Sequence, residues 1–478
     1  MKNTNETIDS NLVKSQIVVG LDIGTTKITV LVGKKDQYGK LEILGTGKAV
    51  SHGVMRGVVA NIDKTVNSIK IAVAQAELES GIEIREVYVG IAGQHIKSLQ
   101  HRGEIVRDDI NEEITQEDLD KLNDNMFKLV TIPGEELIHV IPQEYTVDGE
   151  DFIQDPKGMA GVKIEANFHI ITAKVAAVKN IMRCVQKAGL ILHPKNLILE
   201  PFASSVATLD KDEINEGVCL VDIGGGTTDV AIFLDGIMRH TAVIPFGGNV
   251  ITKDIKSGIQ ILEKQAEMLK IKFGSAMAST TKENVIVSIP GLRGKEPKEV
   301  SVKNLSCIIE ARMKEIIELI NHQIKSSGYS DSLMTGIVIT GGGSQLRNLP
   351  QLVSYITGKE VRIGLPNEHL GSASQKIIRS PIFSTGVGLV QKGFEEIDWN
   401  EVPHDHNAED EDSGAEDLIN RPVGIGRKFQ QMLEKWFSDD VPARLAEELL
   451  ENLALNKSEE NISIIKNAYD NYQTKYML

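Results

Sequence analysis

A glycine-rich hairpin pattern occurs twice in this chain, about 200 residues apart. The first copy is VGLDIGTTKITVLVG, residues 19–33, and the second is LVDIGGGTTDVAIF, residues 220–233. In each copy an apolar strand ends near an aspartate, turns through glycine and threonine, and leaves as a second alternating strand. The repeat predicts a duplicated fold in which each half presents one hairpin to a shared ligand.

The residue types at both turns favour an anionic ligand. Glycine has no Cβ, so its backbone N–H groups can approach phosphate oxygens closely, and threonine hydroxyls add further donors. Asp22 and Asp222 would face the phosphates through a hydrated Mg²⁺. A tight turn without a ligand is the alternative for either hairpin alone. The predicted phosphate-binding residues are Gly24, Thr25, Thr26, Lys27, Gly224, Gly225, Gly226, Thr227 and Thr228.

Two other segments carry candidates for binding a nucleoside. EKQAEMLKIKFG places Glu267 and Lys270 three residues apart, on one face of a predicted helix, where they suit ribose hydroxyls and a base. An ordinary surface ion pair is the alternative. IVITGGGSQL is a buried-type strand followed by a turn that allows close approach of a flat base. The candidates in this turn are Gly341, Gly342, Gly343 and Ser344.

A carboxylate follows the apolar strand in LILEPFASSVATL. Glu200 precedes Pro201, and its side chain could order a water molecule for attack on the terminal phosphate, together with Asp22 and Asp222. Alternatively, Glu200 caps the helix that begins at Pro201. Both roles are compatible with the sequence.

The order of these motifs resembles that of the actin, DnaK-type chaperone and sugar-kinase superfamily. This resemblance implies an α/β fold of two lobes, each with a mixed five-stranded, ribonuclease-H-like sheet, with ATP and Mg²⁺ in the cleft. Within the superfamily, residues from about 17 to 393 resemble the FtsA family of bacterial cell division proteins. The matching segments are SHGVMRGVVANID (51–63), GIAGQHIKS (90–98) and IHVIPQEYTVDGEDFIQDPKGMAGVKIEANFHIIT (138–172).

The FtsA resemblance also implies a division into subdomains. Subdomain 1A is expected at 17–97 and 177–216, interrupted by an inserted subdomain 1C at 98–176. Subdomain 2A is expected at 217–245 and 330–393, the last part returning to 1A, with subdomain 2B at 246–329 between them. The remaining predictions are a disordered N-terminus (1–16), an acidic linker (394–422), an amphipathic helix (423–438) and a helical extension (439–478).

The predicted amphipathic helix, in RPVGIGRKFQQMLEKWFSDD, carries aromatic and aliphatic residues along one face and basic residues beside it. This pattern is typical of an interfacial membrane anchor, and docking on the protein body or on a partner is the alternative. The predicted extension has apolar stripes with acidic or neutral surroundings, which suit packing against protein better than binding to anionic lipid. The predicted membrane residues are Ile425, Arg427, Lys428, Phe429, Met432, Leu433, Trp436 and Phe437.

Composition excludes several other classes of protein. The formal net charge of −15 argues against general nucleic-acid binding. The polar N-terminus predicts no secretory signal, and no apolar run is long enough to span a bilayer. The three cysteines, Cys184, Cys219 and Cys307, lie in apolar surroundings and are predicted to be buried thiols in a reducing compartment.

The resemblance finally implies partners and a location. The FtsA family binds the C-terminal peptide of FtsZ through subdomain 2B, and Lys303, Asn304 and Arg312 match its contact helix, although a solvated helix face is the alternative. Homopolymer formation, with subdomain 1C taking part, recruitment of later division proteins and peripheral attachment to the inner membrane at the septum are also implied. ATP is expected to act mainly as a structural and polymerisation ligand, with at most slow hydrolysis. The alternatives are a pilus-assembly adaptor resembling PilM and a small-molecule kinase.

Overall fold

The computed structural model describes most of the chain up to residue 401. The described residues are 17–36, 38–108, 112–128, 133–291, 296–366, 370–371 and 376–401. The predicted N-terminal segment, most of the predicted linker, the amphipathic helix with its membrane residues, and the extension lie outside them. None of the helices in the described part has the length and apolarity needed to cross a membrane.

The first lobe and its insert occupy the first half of the chain. Lobe 1 begins with β1 (Ile17–Ile23), β2 (Lys27–Lys35), β3 (Leu41–Val50), β4 (Val54–Met55), β5 (Val58–Val59), α1 (Ile62–Ser80) and β6 (Tyr88–Ile91). The insert comprises β7 (Ile96–Val106), α2 (Gln116–Phe127), β8 (Glu135–Val147), β9 (Glu150–Ile153) and β10 (Lys163–Lys174). Lobe 1 resumes with α3 (Val175–Lys187), β11 (Leu197–Leu199), α4 (Glu200–Thr208) and α5 (Lys211–Glu216).

The second lobe follows, and the last described helix returns to lobe 1. Lobe 2 contains β12 (Val218–Ile223), β13 (Thr228–Leu234), β14 (Ile237–Ile244), α6 (Gly248–Ile259), α7 (Glu263–Phe273), β15 (Ile286–Ile289), β16 (Lys298–Ser301), α8 (Val302–Ser326), β17 (Ile337–Thr340), α9 (Leu349–Thr357) and β18 (Val361–Ile363). The final helix, α10 (Ser384–Glu401), packs against β1 and α4.

The two lobes contain sheets of the same topology. The order is β3-β2-β1-β6-β11 in lobe 1 and β14-β13-β12-β17-β18 in lobe 2. In both, the first three strands are antiparallel neighbours and the last two continue parallel to the central strand. Most residues of β1, β2, β12 and β13 are buried, as expected for strands covered on both faces. The predicted duplicated, mixed five-stranded fold is confirmed.

Helix α1 lies close against β3 and closes its free edge. An added Cβ at Gly47 would lie 1.7 Å from the Ala72 carbonyl oxygen, so only glycine permits this approach. The backbone N–H of Thr46 donates to the Glu79 carboxylate at 2.7 Å, and that of Lys48 donates to Gln75 Oε1 at 2.9 Å. Side chains of the helix thus bond the amides that an edge strand would otherwise expose.

The insert has a core of its own and also covers an edge of the lobe 1 sheet. Its four-stranded sheet has the order β7-β10-β8-β9, and α2 packs on it around Leu122, Phe168 and Ile164. At the β11 edge, the backbone N–H of Leu199 donates to His139 Nε2 at 3.0 Å. Burial lowers the pKa of His139 to about 4, which keeps this ring neutral and able to accept.

Two expectations from the sequence were wrong. Helix α10 continues to Glu401, inside the segment 394–422 predicted as a linker, because Phe394 and Ile397 continue its apolar face against lobe 1. Cys307 is exposed on α8, whereas Cys184 and Cys219 are buried as predicted. Leu305, Ile308 and Ile309 surround Cys307 in sequence, but the helix turns these apolar residues toward the core and leaves the thiol outside.

Candidate functional site

The two glycine-rich hairpins face each other between the lobes. Asp22 lies opposite Thr29 in the first hairpin, and Asp222 lies opposite Asp229 at the equivalent position of the second. An added Cβ at Gly225 would lie 2.3 Å from Thr26 Cγ2, and one at Gly226 would lie 2.5 Å from Thr25 Oγ1. The predicted phosphate-binding turns are therefore brought together, and larger residues than glycine would push them apart.

Each hairpin aspartate accepts hydrogen bonds from neighbouring side chains. Asp22 is buried and pairs with Lys27 Nζ at 2.9 Å, while the Thr29 hydroxyl donates to it at 3.2 Å. Asp222 accepts hydrogen bonds from the hydroxyls of Ser204 at 2.8 Å and Thr385 at 3.3 Å. Both hydroxyls belong to lobe 1, so the Asp222 carboxylate joins the lobes at the floor of the cleft.

Burial and neighbouring charges raise the pKa values of three carboxyl groups between the lobes. Burial, and then the charges of Asp22, Asp229 and Asp222, raise the pKa of Glu200 well above its usual range. The pKa of Asp222 is raised by burial, against the effect of the Ser204 hydrogen bond. Burial and the Asp222 charge raise the pKa of Asp229 to about 8, and its Oδ1 atom is buried with no hydrogen-bond partner. These groups together favour a bound cation.

Helix α6 begins directly at the second hairpin. The backbone N–H of Gly248 donates to the Gly224 carbonyl at 2.9 Å, and that of Asn249 donates to the Gly225 carbonyl at 2.8 Å. This places the positive end of the α6 dipole beside the turn. The contact supports the second hairpin from lobe 2.

Glu267 and Lys270 lie on one face of α7, as predicted, and form an ion pair of 2.7 Å. Lys270 Nζ also donates to the Gly248 carbonyl and to the Thr252 hydroxyl, both at 2.9 Å, and the Thr252 hydroxyl donates to the Glu267 carboxylate. The Lys270 side chain is mostly buried. These contacts connect α7 to the first turn of α6, so the pair is more than a surface ion pair.

The third glycine turn lies beside Asp222. Gly341 has a φ of +81°, and an added Cβ there would lie 2.2 Å from Asp222 Oδ1. Gly343 packs against Ile223, whereas nothing lies within 4 Å of an added Cβ at Gly342. Ser344 is buried and donates to the Gly341 carbonyl at 2.8 Å. The turn thus has a fixed shape with open space on one side.

The residues between the lobes fit Mg²⁺-bound nucleotide. Backbone approach at the glycine turns suits phosphate oxygens, and the unpartnered Asp229 oxygen and raised carboxyl pKa values suit a nearby dication. Among the described residues, no three histidine, cysteine or acidic side chains are grouped as direct metal ligands. Contact of Asp22 and Asp222 with Mg²⁺ through water stays a prediction from the sequence.

The predicted FtsZ-contact residues lie at the start and middle of α8. Asn304 lies in the first turn, where its backbone N–H donates to the Ser301 cap at 3.4 Å, and Lys303 pairs with Glu283. Arg312 pairs with Asp254 Oδ2 at 2.5 Å and Glu315 Oε2 at 2.5 Å. An acidic peptide would have to compete with these carboxylates for the guanidinium.

Sequence reasoning missed several residues of this site. Ser204, Thr252 and Thr385 contact the predicted residues, but single hydroxyl side chains carry little pattern by which to find them. Asp229 is the second acidic residue of the segment LVDIGGGTTDVAIF, and the alternating pattern there indicates only that it belongs to the outgoing strand. Its position opposite Asp222 in the hairpin is the signal that marks Asp229 as a residue of the site.

Comparison with known proteins gives consistent matches. Residues 219–388 match the family model for cell division protein FtsA, and residues 93–172 match the model for the SHS2 domain inserted in FtsA. The chain is 39% identical over 382 residues to cell division protein FtsA of Pseudomonas aeruginosa, covering 80% of this chain and 90% of that protein. It is 35% identical over 387 residues to the FtsA of Escherichia coli K12, covering 80% and 91%.

A comparison of folds agrees with the architecture. A solved structure of a PilM-PilN type IV pilus biogenesis complex matches with a TM-score of 0.56 and 16% identity, covering 79% of this chain and 98% of that chain. At this identity the match supports the two-lobed fold alone.

Proposed function

Because the chain belongs to the FtsA family of cell division proteins, we propose that it binds Mg²⁺ and ATP between its lobes and polymerises on the inner membrane. There it anchors FtsZ filaments and recruits later division proteins to the septum. The observation that carries the nucleotide site is the facing pair of hairpins, which have the same register and lie beside four carboxyl groups. The membrane and partner roles rest on family membership and on the C-terminal sequence.

Each group of residues has a separate task in this proposal. The backbone N–H groups of Gly24 and Gly224–Gly226, the threonine hydroxyls and Lys27 bind the phosphates. Asp22 and Asp222 orient water molecules on the ion. Glu267 and Lys270 contact the ribose and base, and Gly341–Ser344 form the surface beneath the base. Bound Mg²⁺ and ATP supply opposite charges that neutralise one another between the hairpins.

The protonation state of Glu200 bears on hydrolysis. Its raised pKa favours the protonated form of this carboxyl in the ligand-free protein, and a protonated carboxyl cannot take a proton from water. A nearby dication would lower that pKa and produce the ionised form. From family membership, we propose at most slow ATP turnover, with the ligand acting chiefly on the lobe arrangement and on assembly.

The basic amphipathic segment would attach the protein to anionic lipid. One short helix binds a membrane reversibly, and many copies on one polymer bind far more tightly through effective concentration. Nucleotide-dependent assembly and membrane attachment should therefore strengthen each other. The acidic segment after Glu401 would serve as a tether between the lobes and the anchor.

Co-sedimentation with anionic liposomes tests the proposal. Three chains are compared with and without Mg²⁺ and ATP: the full chain, residues 1–438, and residues 1–423. We expect the first two to pellet with liposomes, and more so with ATP, whereas the third stays in the supernatant. Pelleting of all three to the same extent would contradict membrane attachment through residues 424–438.

A peptide-binding experiment tests the FtsZ role. A labelled peptide with the C-terminal sequence of FtsZ is titrated with the full chain, and a scrambled peptide serves as the control. Saturable binding of the first peptide alone is expected. Absence of binding would leave the family assignment intact and would remove the proposed FtsZ contact.

A further inference from the structure

The insert is covalently part of lobe 1 but also contacts the exposed edge of lobe 2. It leaves lobe 1 after β6 and returns to it at α3, whereas β14 is the outermost strand of the lobe 2 sheet and, among the described strands, pairs only with β13. Side chains from three insert strands reach β14. Any change in the angle between the lobes must therefore either move the insert or break this contact.

Amide and imidazole groups of the insert bond the backbone carbonyls of β14. Gln143 Nε2 donates to the Met238 carbonyl at 3.0 Å and lies 3.4 Å from the Arg239 carbonyl, which also accepts from Gln100 Nε2 at 3.4 Å. His169 Nδ1 lies 3.2 Å from the Met238 carbonyl. These side chains bond the edge as a neighbouring strand would, but with groups that can separate individually.

The His169 ring is fixed between the insert and β14. It is fully buried, and its Nε2 lies 2.5 Å from the Ser98 hydroxyl. Burial lowers the pKa of His169 to about 4, so the ring is neutral near pH 7. Because a carbonyl oxygen only accepts, Nδ1 carries the proton and Nε2 accepts from Ser98. The imidazole therefore relays a hydrogen bond from β7 to β14.

A buried arginine completes the contact. The Arg239 side chain is 6% exposed and donates to Glu144 of β8 at 2.6 Å, to Asp235 at 2.8 Å, and to the Leu234 carbonyl at 3.3 Å. Only Glu144 belongs to the insert. Separation of the insert from β14 would leave this buried cation with one carboxylate partner instead of two, which costs free energy.

The contact is connected to the cleft through rigid structure. Strand β14 leads directly into the start of α6, where Gly248 and Asn249 bond the second glycine hairpin. An apolar seam beneath it contains Ile171 of the insert, Leu199 of lobe 1 and Phe233 of lobe 2. The insert, both lobes and the second hairpin thus meet in one packed region.

We propose that the contact of Gln143, Glu144 and His169 with Met238 and Arg239 is a latch that holds the two lobes in the arrangement in which the hairpins touch. Release of the latch allows the lobes to open and the insert to turn away from lobe 2. Coupling of the latch to ATP binding rests on the proposed function, whereas the effect of the latch on the arrangement of the lobes is independent of that function. Insert orientation then depends on the occupancy of the cleft.

Hydrogen–deuterium exchange of the full chain, first without nucleotide, tests the latch. The variant Glu144→Gln removes the charge that pairs with Arg239, and Glu150→Gln makes the same change at an exposed insert position as the control. Glu144→Gln should speed amide exchange both in β14 and in the two hairpins, residues 22–28 and 222–228. Faster exchange confined to the insert and β14, or no change, would overturn the latch.

Titration with Mg²⁺ and ATP then tests the coupling. If the touching arrangement is the one that binds, Glu144→Gln should raise the Kd about fivefold or more, and Glu150→Gln should leave it unchanged. A Kd equal in all three proteins would overturn the coupling. Failure of the unsubstituted chain to bind ATP would overturn the nucleotide site, whereas the nucleotide-free exchange would still decide whether the latch holds the lobes.

Discussion

Ser204 of lobe 1 donates a hydrogen bond of 2.8 Å to Asp222 of lobe 2 at the floor of the cleft. Thr385, also from lobe 1, lies 3.0 Å from the Ser204 hydroxyl and contacts the same carboxylate. Two hydroxyl groups of one lobe therefore solvate the hairpin aspartate of the other. This small polar contact joins the two lobes beside the second hairpin.

Ser204→Ala should destabilise the junction of the lobes. Loss of the donor leaves a desolvated carboxylate poorly satisfied, and we expect the free energy of unfolding to fall by about 1–3 kcal/mol. Urea unfolding at pH 7 measures this change. Ser205→Ala is the matched control, because the Ser205 hydroxyl donates to the Phe202 carbonyl within its own helix. Equal losses in both variants would contradict a role between the lobes.

Asp229 should make the ligand-free protein less stable as pH rises. Its folded-state pKa of about 8 exceeds the value near 4 of an unfolded aspartate, so its stabilising contribution is complete below pH 4 and is lost as pH rises through 8. Asp229→Asn should flatten the pH dependence between pH 5 and 8. It should also raise the free energy of unfolding at pH 8 by on the order of 1 kcal/mol or more.

Urea unfolding at several pH values, without nucleotide, checks the Asp229 prediction. Asp212→Asn replaces an exposed aspartate on α5 and should keep the pH dependence of the unsubstituted chain. An unchanged slope in Asp229→Asn would show that this carboxyl is already ionised in the folded protein.

Binding of Mg²⁺ and ATP should release protons near pH 7. The raised pKa values of Glu200, Asp222 and Asp229 mean that some of these carboxyls hold protons before a dication arrives. A nearby positive charge favours their ionised forms. Calorimetric titration in two buffers of different ionisation enthalpy measures the number of protons released. A binding enthalpy independent of the buffer would argue against the protonated cluster.

Lys270→Met should weaken nucleotide binding and loosen the junction of α6 and α7. The Lys270 ammonium bonds the Gly248 carbonyl, the Thr252 hydroxyl and the Glu267 carboxylate, so its loss leaves three acceptors without this donor. We expect at least a tenfold rise in Kd for ATP, corresponding to about 1.4 kcal/mol. Lys272→Met, on the exposed side of the same helix, should change the Kd less than twofold.

Asp254 should compete with an acidic peptide for Arg312. If Arg312 contacts the FtsZ peptide, Arg312→Ala weakens binding, and Asp254→Asn strengthens it by removing one of the two carboxylates that pair with the guanidinium. Fluorescence anisotropy with a labelled peptide measures both changes. Glu318→Gln, at an exposed position of the same helix, is the control. Weaker binding in Asp254→Asn would indicate that the ion pair shapes the surface instead of blocking it.

The duplicated sheets and hairpins could be predicted from the sequence because their signals are local. A strand, a glycine turn and an alternating strand occupy about fifteen neighbouring residues, as in the segment containing Asp222 and Asp229. The latch could not be predicted in this way. Glu144 and Arg239 are 95 residues apart. In the sequence, each has the pattern of an ordinary charged residue on the solvent-exposed face of a strand. Their meeting depends on how the insert packs against lobe 2.

The edges of the sheets have a consequence for contacts between copies of this chain. The side chains of Glu79 and Gln75 accept hydrogen bonds from backbone amides of β3, and His139 accepts one from β11. Side chains of the insert donate to backbone carbonyls of β14. An open strand edge is the usual starting point for irreversible intermolecular β-pairing. Because side chains already bond these three edges, strands of another copy would have fewer free backbone groups to pair with there.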